Sequence, residues 1–232
     1  MDISKRLQTI ADMVTRNAAV CDVGTDHGYL AIYLIEQQIC EKVIAMDVAE
    51  GPLGKARTNI ARYRLEDKIE TRLSDGLDEL HPSEADTVIM AGMGGILITS
   101  LLEKGKAVLD TVQELIVSPH TDVELVRRYL HQNGFAIAEE RMLVEDGKYY
   151  IIIKAYHGRQ SYDTLAEYRY GSCLLTKKNP ILKKYLEKEL KKAEILYGNL
   201  KNFSTSHSEK RRLELEEEIQ CMKEGLGYYE MQ

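Results

Sequence analysis

The sequence predicts an α/β fold: a Rossmann-like sheet of parallel strands closed by an antiparallel hairpin, followed by an α-helical, coiled-coil-like C-terminal domain. Three observations predict it. Short β-rich runs alternate with helical patterns as far as residue 157, the pattern of parallel strands joined by crossover helices. "FAIAEERMLVEDGKYYIIIKAY" then gives two strand-like runs joined at Asp146-Gly147, a dipeptide suited to a tight hairpin turn. Beyond residue 160 the strand signal ends and leucines recur every three or four residues. The expected division is therefore 1–157 and 158–232.

Strands are expected at 19–23, 43–47, 69–73, 86–91 and 114–118, with helices at 28–38, 51–63, 95–105 and 121–133 between them. Pro52 suits the first turn of its helix. At the N-terminus Leu7, Ile10, Ala11 and Val14 have helical spacing with charges between them, unlike the uninterrupted apolar core of a secretory signal. In the C-terminal part, one helix is expected over 162–176. Leu182, Leu186, Leu190, Ala193, Leu196 and Leu200 make a first apolar seam, and Leu215, Ile219, Met222 and Leu226 a second. The intervening "NFSTSHSEK" offers Ser206 and Glu209 as a capping box, so two antiparallel helices are expected.

With 44% hydrophobic and 29% charged residues, the chain has the composition of a globular protein with a real core. No apolar run is long enough for a membrane span, and the scattered Cys21, Cys40, Cys173 and Cys221 form no CxxC pair. Reduced thiols in a cytoplasmic protein are expected. The six histidines show no ligand spacing, so no metal is expected. The net charge of −6 disfavours a generic polyanion binder. Yet residues 169–192 hold eight basic and two acidic residues, which permits a nucleic-acid partner or a solvated lysine-rich helix face.

The chemistry concentrates at strand ends. "AAVCDVGTDHGYLAIYL" runs from a strand through a glycine turn into a helix. Such a turn brings backbone N–H groups up to a ligand, but here it reads D-x-G-x-D-x-G around Asp22, Gly24, Asp26 and Gly28. Two carboxylates would repel a pyrophosphate and attract a cation; the plainer reading is a pair of helix-capping residues. A sulfonium with an α-ammonium group, as in S-adenosyl-L-methionine, suits the acidic turn. Asp47 ends the second strand, where an acidic residue commonly takes ribose hydroxyls. Asp75 and Gly76 follow the third, and Ala91-Gly92-Met93-Gly94-Gly95 the fourth. Neither an Asn/Asp-Pro-Pro-aromatic grip for an exocyclic amine nor a cysteine nucleophile stands after the fourth or fifth strand.

"ISKRLQTIA", "DVGTDHGYL", "EGP", "SDGL", "AGMGG" and "EDGKYY" resemble, in order and spacing, a bacterial tRNA (adenine-22-N1)-methyltransferase family. The resemblance runs from about Ser4 to Ala155 and extends in outline to the C-terminal helices. It implies a class I methyltransferase sheet that binds S-adenosyl-L-methionine, a helical domain that helps hold tRNA, and methylation of N1 of adenine 22. On the matching positions, Asp22, Gly24, Asp26, His27 and Tyr29 look like the first cofactor motif. Asp47 looks like the ribose ligand, Asp75 with Gly76 the adenine end, and Ala91, Gly92 and Met93 the wall beside the methyl group. Ser118-Pro119-His120 departs from the Gln-Pro-Asn frequent in the family after the fifth strand.

Adenine N1 carries an in-plane lone pair, so the enzyme's task is mainly alignment, and a carboxylate would stabilise the cationic product. Asp26 is the candidate for that role, or for orienting the adenine amino group. His27 and Tyr29 are candidates to contact the base, their plainer roles being helix start and packed aromatic. A monomer acting on tRNA is expected. The alternatives are a small-molecule methyltransferase, for which no lid-like insertion is visible, and a non-catalytic nucleotide-sensing interaction module.

Overall fold

The computed structural model describes residues 1–200 and 206–230. It falls into two compact units, Met1–Gln160 and Ser161–Gln232.

In the first unit, β1 (Val20–Val23), β2 (Val43–Asp47), β3 (Ile69–Leu73), β4 (Thr87–Ala91), β5 (Glu114–Ser118), β6 (Phe135–Glu145) and β7 (Lys148–His157) form one sheet in the order β3-β2-β1-β4-β5-β7-β6. The first five strands are mutually parallel, and β7 pairs antiparallel with both β5 and β6. Helices α1 (Lys5–Ala11), α2 (Tyr29–Glu36), α3 (Glu50–Tyr63), α4 (Gly95–Lys104), α5 (Lys106–Leu109) and α6 (Val123–Gln132) complete it. This is the Rossmann-like methyltransferase sheet expected from the alternating pattern. Central β1 and β5 are buried along their whole length, as strands covered on both faces must be. Asp146 and Gly147 both have positive φ, 49° and 74°, the type I′ geometry that matches the twist of the hairpin strands.

The chain steps outward from β1 to β2 and β3, then returns to place β4 on the other side of β1. Adjacent connections leave the sheet in opposite directions at β1 and β4, and a crevice opens beyond their C-terminal ends. The N-terminal segment forms α1, with the Ser4 hydroxyl accepting from the Leu7 N–H.

The second unit is wholly helical among the described residues: α7 (Leu165–Tyr170), α8 (Ser172–Thr176), α9 (Pro180–Leu200) and α10 (Ser206–Glu230). The single helix expected over 162–176 is instead two short ones, because Gly171 adopts φ 91° and breaks the ladder between them. Thr164 and Glu167 form a capping box at the start of α7. Across the antiparallel α9 and α10, Lys223 pairs with Glu194 at 3.1 Å, and the Tyr229 hydroxyl donates to the carbonyl of Asn179, just before α9, at 2.8 Å. Leu182, Leu186, Ala193, Leu215 and Met222 are buried from the expected seams, whereas Leu196 is 42% exposed. Ser206 is the first helical residue of α10, and the cap before it lies outside the described residues.

One buried ion pair ties α6 to the hairpin: Arg127 Nε donates to Glu140 Oε1 at 2.7 Å, with both side chains fully buried. Removing one partner strands the other charge out of water. Glu140→Ala is therefore expected to cost about 3–5 kcal/mol, measured by urea unfolding; a loss below about 1 kcal/mol would show that the pair behaves like a surface bridge.

Candidate active site

A cavity of about 300 Å³ opens at the C-terminal ends of β1 and β4, where the strand order reverses. Asp22 and the turn residues Gly24, Thr25, Asp26 and His27 line it, with Tyr29 and Leu30 from the start of α2. Ala91 and Gly92 enter from the end of β4, Arg6 and Leu7 from α1, and His120 from beyond β5.

The turn has its shape because three of its residues are left-handed: Gly24 at φ 75°, Asp26 at 52° and Gly28 at 74°. Glycine adopts this region freely, whereas a side chain there costs about 1 kcal/mol or more. Gly28 also lies against α3, where an added Cβ would stand 3.2 Å from the Ala56 Cβ. The turn is tied to β2 by the Met46 carbonyl, which accepts the Gly24 and Thr25 N–H groups at 2.8 and 2.9 Å. Asp47 completes the tie, accepting the Asp26 N–H at 3.1 Å and the Ala49 N–H at 3.0 Å. Asn59 of α3 donates to the His27 carbonyl at 2.9 Å.

Three carboxylates meet here in different surroundings. Asp22 is 4% exposed and accepts from the Thr25 hydroxyl at 2.7 Å. Burial pushes its carboxyl up to about 6; the Thr25 hydrogen bond opposes this, the Asp47 charge adds to it, and the Arg6 charge lowers it. Asp26 keeps its side chain 68% exposed, with Oδ1 3.4 Å from His27 Nε2. The His27 and Tyr29 rings stack, 5.4 Å between centroids and 6° between planes. On the opposite wall His120 meets the Tyr150 ring edge-on at 5.8 Å. Burial, with the Arg6 and Lys148 charges, lowers its pKa below the usual imidazole value.

Of the residues singled out in the sequence, Asp22, Gly24, Asp26, His27, Tyr29, Ala91 and Gly92 share this cavity. Asp47 acts one layer behind it, on the turn backbone. Met93 and Gly76 do not line it. The Met93 Cε lies 2.5 Å from where a Gly24 Cβ would stand, and Gly76 makes room for Leu101. Asp75 also lies outside the lining, paired with Lys104 at 2.9 Å. Arg6, Leu7 and Thr25 were not singled out as site residues. Thr25 was readable as a hydroxyl three residues after Asp22, whereas no local pattern announces that α1 reaches the cavity. Among the described residues no cluster of His, Cys, Asp and Glu could hold a metal ion, and no helix is long and apolar enough to cross a membrane.

The methyltransferase domain family matches residues 3–153. The tRNA (adenine(22)-N(1))-methyltransferase of Bacillus subtilis is 32% identical over 234 residues, 98% of each chain. The chain belongs to this methyltransferase family. Two solved structures share its fold over 97% of its length. Streptococcus pneumoniae Sp1610 in complex with S-adenosyl-L-methionine is 34% identical, with a TM-score of 0.87 and all of that chain covered. M. capricolum TrmK with S-adenosyl-homocysteine is 26% identical, with a TM-score of 0.84 and 98% of that chain covered.

Holding Asp22 ionised in this setting costs stability. Its folded pKa lies above the unfolded value, so its contribution is most favourable below about pH 4 and is lost as pH rises through about 6. Asp22→Asn is expected to raise stability at pH 7 by on the order of 2–3 kcal/mol, a gain that shrinks towards zero by pH 4. Urea unfolding of both proteins across that range tests it; a constant difference would contradict the linkage.

Proposed function

We propose that this chain transfers the methyl group of S-adenosyl-L-methionine to N1 of adenine 22 in tRNA. The observation that carries the reading is the acidic glycine turn at the sheet's switch point, in a chain alignable almost end to end with the B. subtilis enzyme. The cavity's donors and acceptors fit the cofactor. Gly24 lies in the cavity wall with Met93 packed where a side chain would stand, Asp22 offers a buried carboxylate to a cationic group, and Arg6 Nη1 is buried with no hydrogen-bond acceptor.

Bound there, S-adenosyl-L-methionine supplies an electrophilic methyl carbon on a cationic sulfur. Asp22, Gly24 and Asp26 would hold its amino-acid end and Asp47 its ribose. Asp75, with Gly76, would meet its adenine once freed from Lys104, while Ala91 and Gly92 would form the wall beside the methyl group, with Met93 packed behind them against Gly24. The protein needs no general base, because neutral adenine presents N1 as a lone pair. It must instead align the base and stabilise the positive charge gained by the ring. Asp26 is the candidate for the second task, a cavity-lining carboxylate 68% exposed and 3.4 Å from His27 Nε2. The stacked His27–Tyr29 pair, with Tyr29 44% exposed, offers a surface for the base. Since N1 is masked by Watson–Crick pairing, the nucleotide must present itself unpaired or flipped. The lysines of α9, with Lys183, Lys184, Lys188 and Lys191 exposed, supply phosphate contacts. The protein acts as a monomer in the cytoplasm, where its substrate resides.

Labelled methyl transfer to unmodified tRNA, mapped by digestion and mass spectrometry, is expected to give 1-methyladenine at position 22. Asp26→Ala should lose at least about 100-fold in kcat while still binding cofactor, and charge reversal of Lys183, Lys184 and Lys188 should raise the KM for tRNA. Transfer to a small acceptor without RNA would favour the small-molecule reading, and cofactor binding without transfer to any tRNA the non-catalytic one.

A further inference from the structure

His120 enters the cavity from beyond β5 with an exposed side chain, and neither of its ring nitrogens has a hydrogen-bond or ion-pair partner among the described residues. Histidines elsewhere in the first unit are used differently. His131 and His157 each commit a ring nitrogen to the protein, at Gln160 and at the Leu109 carbonyl. The backbone of His120, by contrast, is tied down. Its N–H donates to the Met93 carbonyl at 2.8 Å, and the Gly92 N–H donates to the Ser118 carbonyl at 3.3 Å. These two bonds join the loop after β5 to the loop after β4. The imidazole meets the Tyr150 ring edge-on at 5.8 Å, and Tyr150 in turn lies under the Arg6 guanidinium. The ring is thus oriented by its faces and edges, and both nitrogens remain available.

The chemistry dictates which side of the cavity the target base must occupy. Transfer of a methyl group from a sulfonium is an in-line displacement: the N1 lone pair forms the new bond, and the sulfur departs with the electrons of the old one. The acceptor therefore stands across the methyl group from the cofactor. The residues proposed to hold the cofactor follow β1, β2 and β3, and Ala91 and Gly92 beside the methyl group follow β4. The next strand in the sheet is β5, so the far side is the His120 side. Adenine presents N1 there together with its exocyclic amino group, which can only donate. A neutral imidazole has one acceptor nitrogen, and burial with the Arg6 and Lys148 charges favours that neutral form.

We propose that His120 reads the target base, one ring nitrogen accepting a hydrogen bond from the adenine amino group and so turning N1 towards the methyl carbon. The inference rests on the reading of this cavity as the site of adenine N1 methylation. His120 is then a specificity residue, whose contact is made to the acceptor alone.

The test is single-turnover methyl transfer, at saturating cofactor, to tRNA carrying adenine or unsubstituted purine at position 22, by the wild type, His120→Phe and His120→Asn. Loss of the amino group also changes the nucleophilicity of N1, but equally for all three proteins, so the quantity read is the change in the adenine-over-purine rate ratio between proteins. His120→Phe is expected to lower the rate with adenine about tenfold, the effect of one hydrogen bond, and to leave the rate with purine nearly unchanged. His120→Asn, whose amide oxygen is an acceptor, should keep most of the ratio. An undiminished ratio in His120→Phe would overturn the proposal and leave Asp26 as the candidate for holding the amino group. Equal losses with both bases would also overturn it, making His120 a packing residue of the loop. A wild type that binds cofactor but methylates neither tRNA at position 22 would overturn the reading of the site, and the proposal with it. Unliganded melting temperatures check the fold of each variant, and if His120→Phe fails to fold, the ratio in His120→Ala decides the matter.

Discussion

The carboxylate of Asp47 joins two backbone amides that belong to different turns, accepting from Asp26 after β1 and from Ala49 after β2. The rest of the active-site end depends on this tie. Parallel strands leave their C-terminal edges as separate loops, and nothing in the sheet ladder fixes one loop against the next. Asp47, helped by the Met46 carbonyl, sets the first turn in register with the second strand. The left-handed Gly24, Asp26 and Gly28 then have a defined direction, with Asp22 on the inside of the turn and the Asp26 carboxylate on the outside.

That geometry divides the labour among like charges. Asp22, withdrawn from water and held by Thr25, is the group whose ionisation a cationic ligand must reward. Asp26 stays solvated, its side chain largely exposed beside His27. Arg6 moderates the carboxylate field from the opposite side, so the cavity is dipolar rather than simply acidic. Assembling these groups has a cost: a protein without Asp22 would be more stable, and on the proposed function a poorer receptor for a sulfonium amino acid.

Much of this was legible in the sequence because strand ends are marked by composition. The runs that became β2, β3 and β5 are bounded by polar turns, and their limits at 43–47, 69–73 and 114–118 came out as read. The cavity group around Asp22, Gly24 and Asp26 was legible for the same reason, since a turn's ligand chemistry is local. What was not legible depends on contacts across the fold. The Asp75–Lys104 pair joins residues 29 positions apart. The place of Arg6 follows from where α1 packs, which its helical spacing does not encode. The expected helix over 162–176 failed at Gly171, where a single glycine costs too little in propensity to announce a break. His120 entered the site at the position where the sequence departs from its family's pattern.

The central claim is that an ionised Asp22 selects the cofactor's cationic end. It is tested most directly by calorimetric titration of S-adenosyl-L-methionine into the wild type and Asp22→Asn at pH 5 and pH 7.5. With the Asp22 carboxyl at about 6, wild-type affinity should fall about tenfold at the lower pH, with proton release on binding, while Asp22→Asn should bind weakly and almost independently of pH. An Asp22→Asn protein that binds as tightly as the wild type at pH 7.5 would contradict the account.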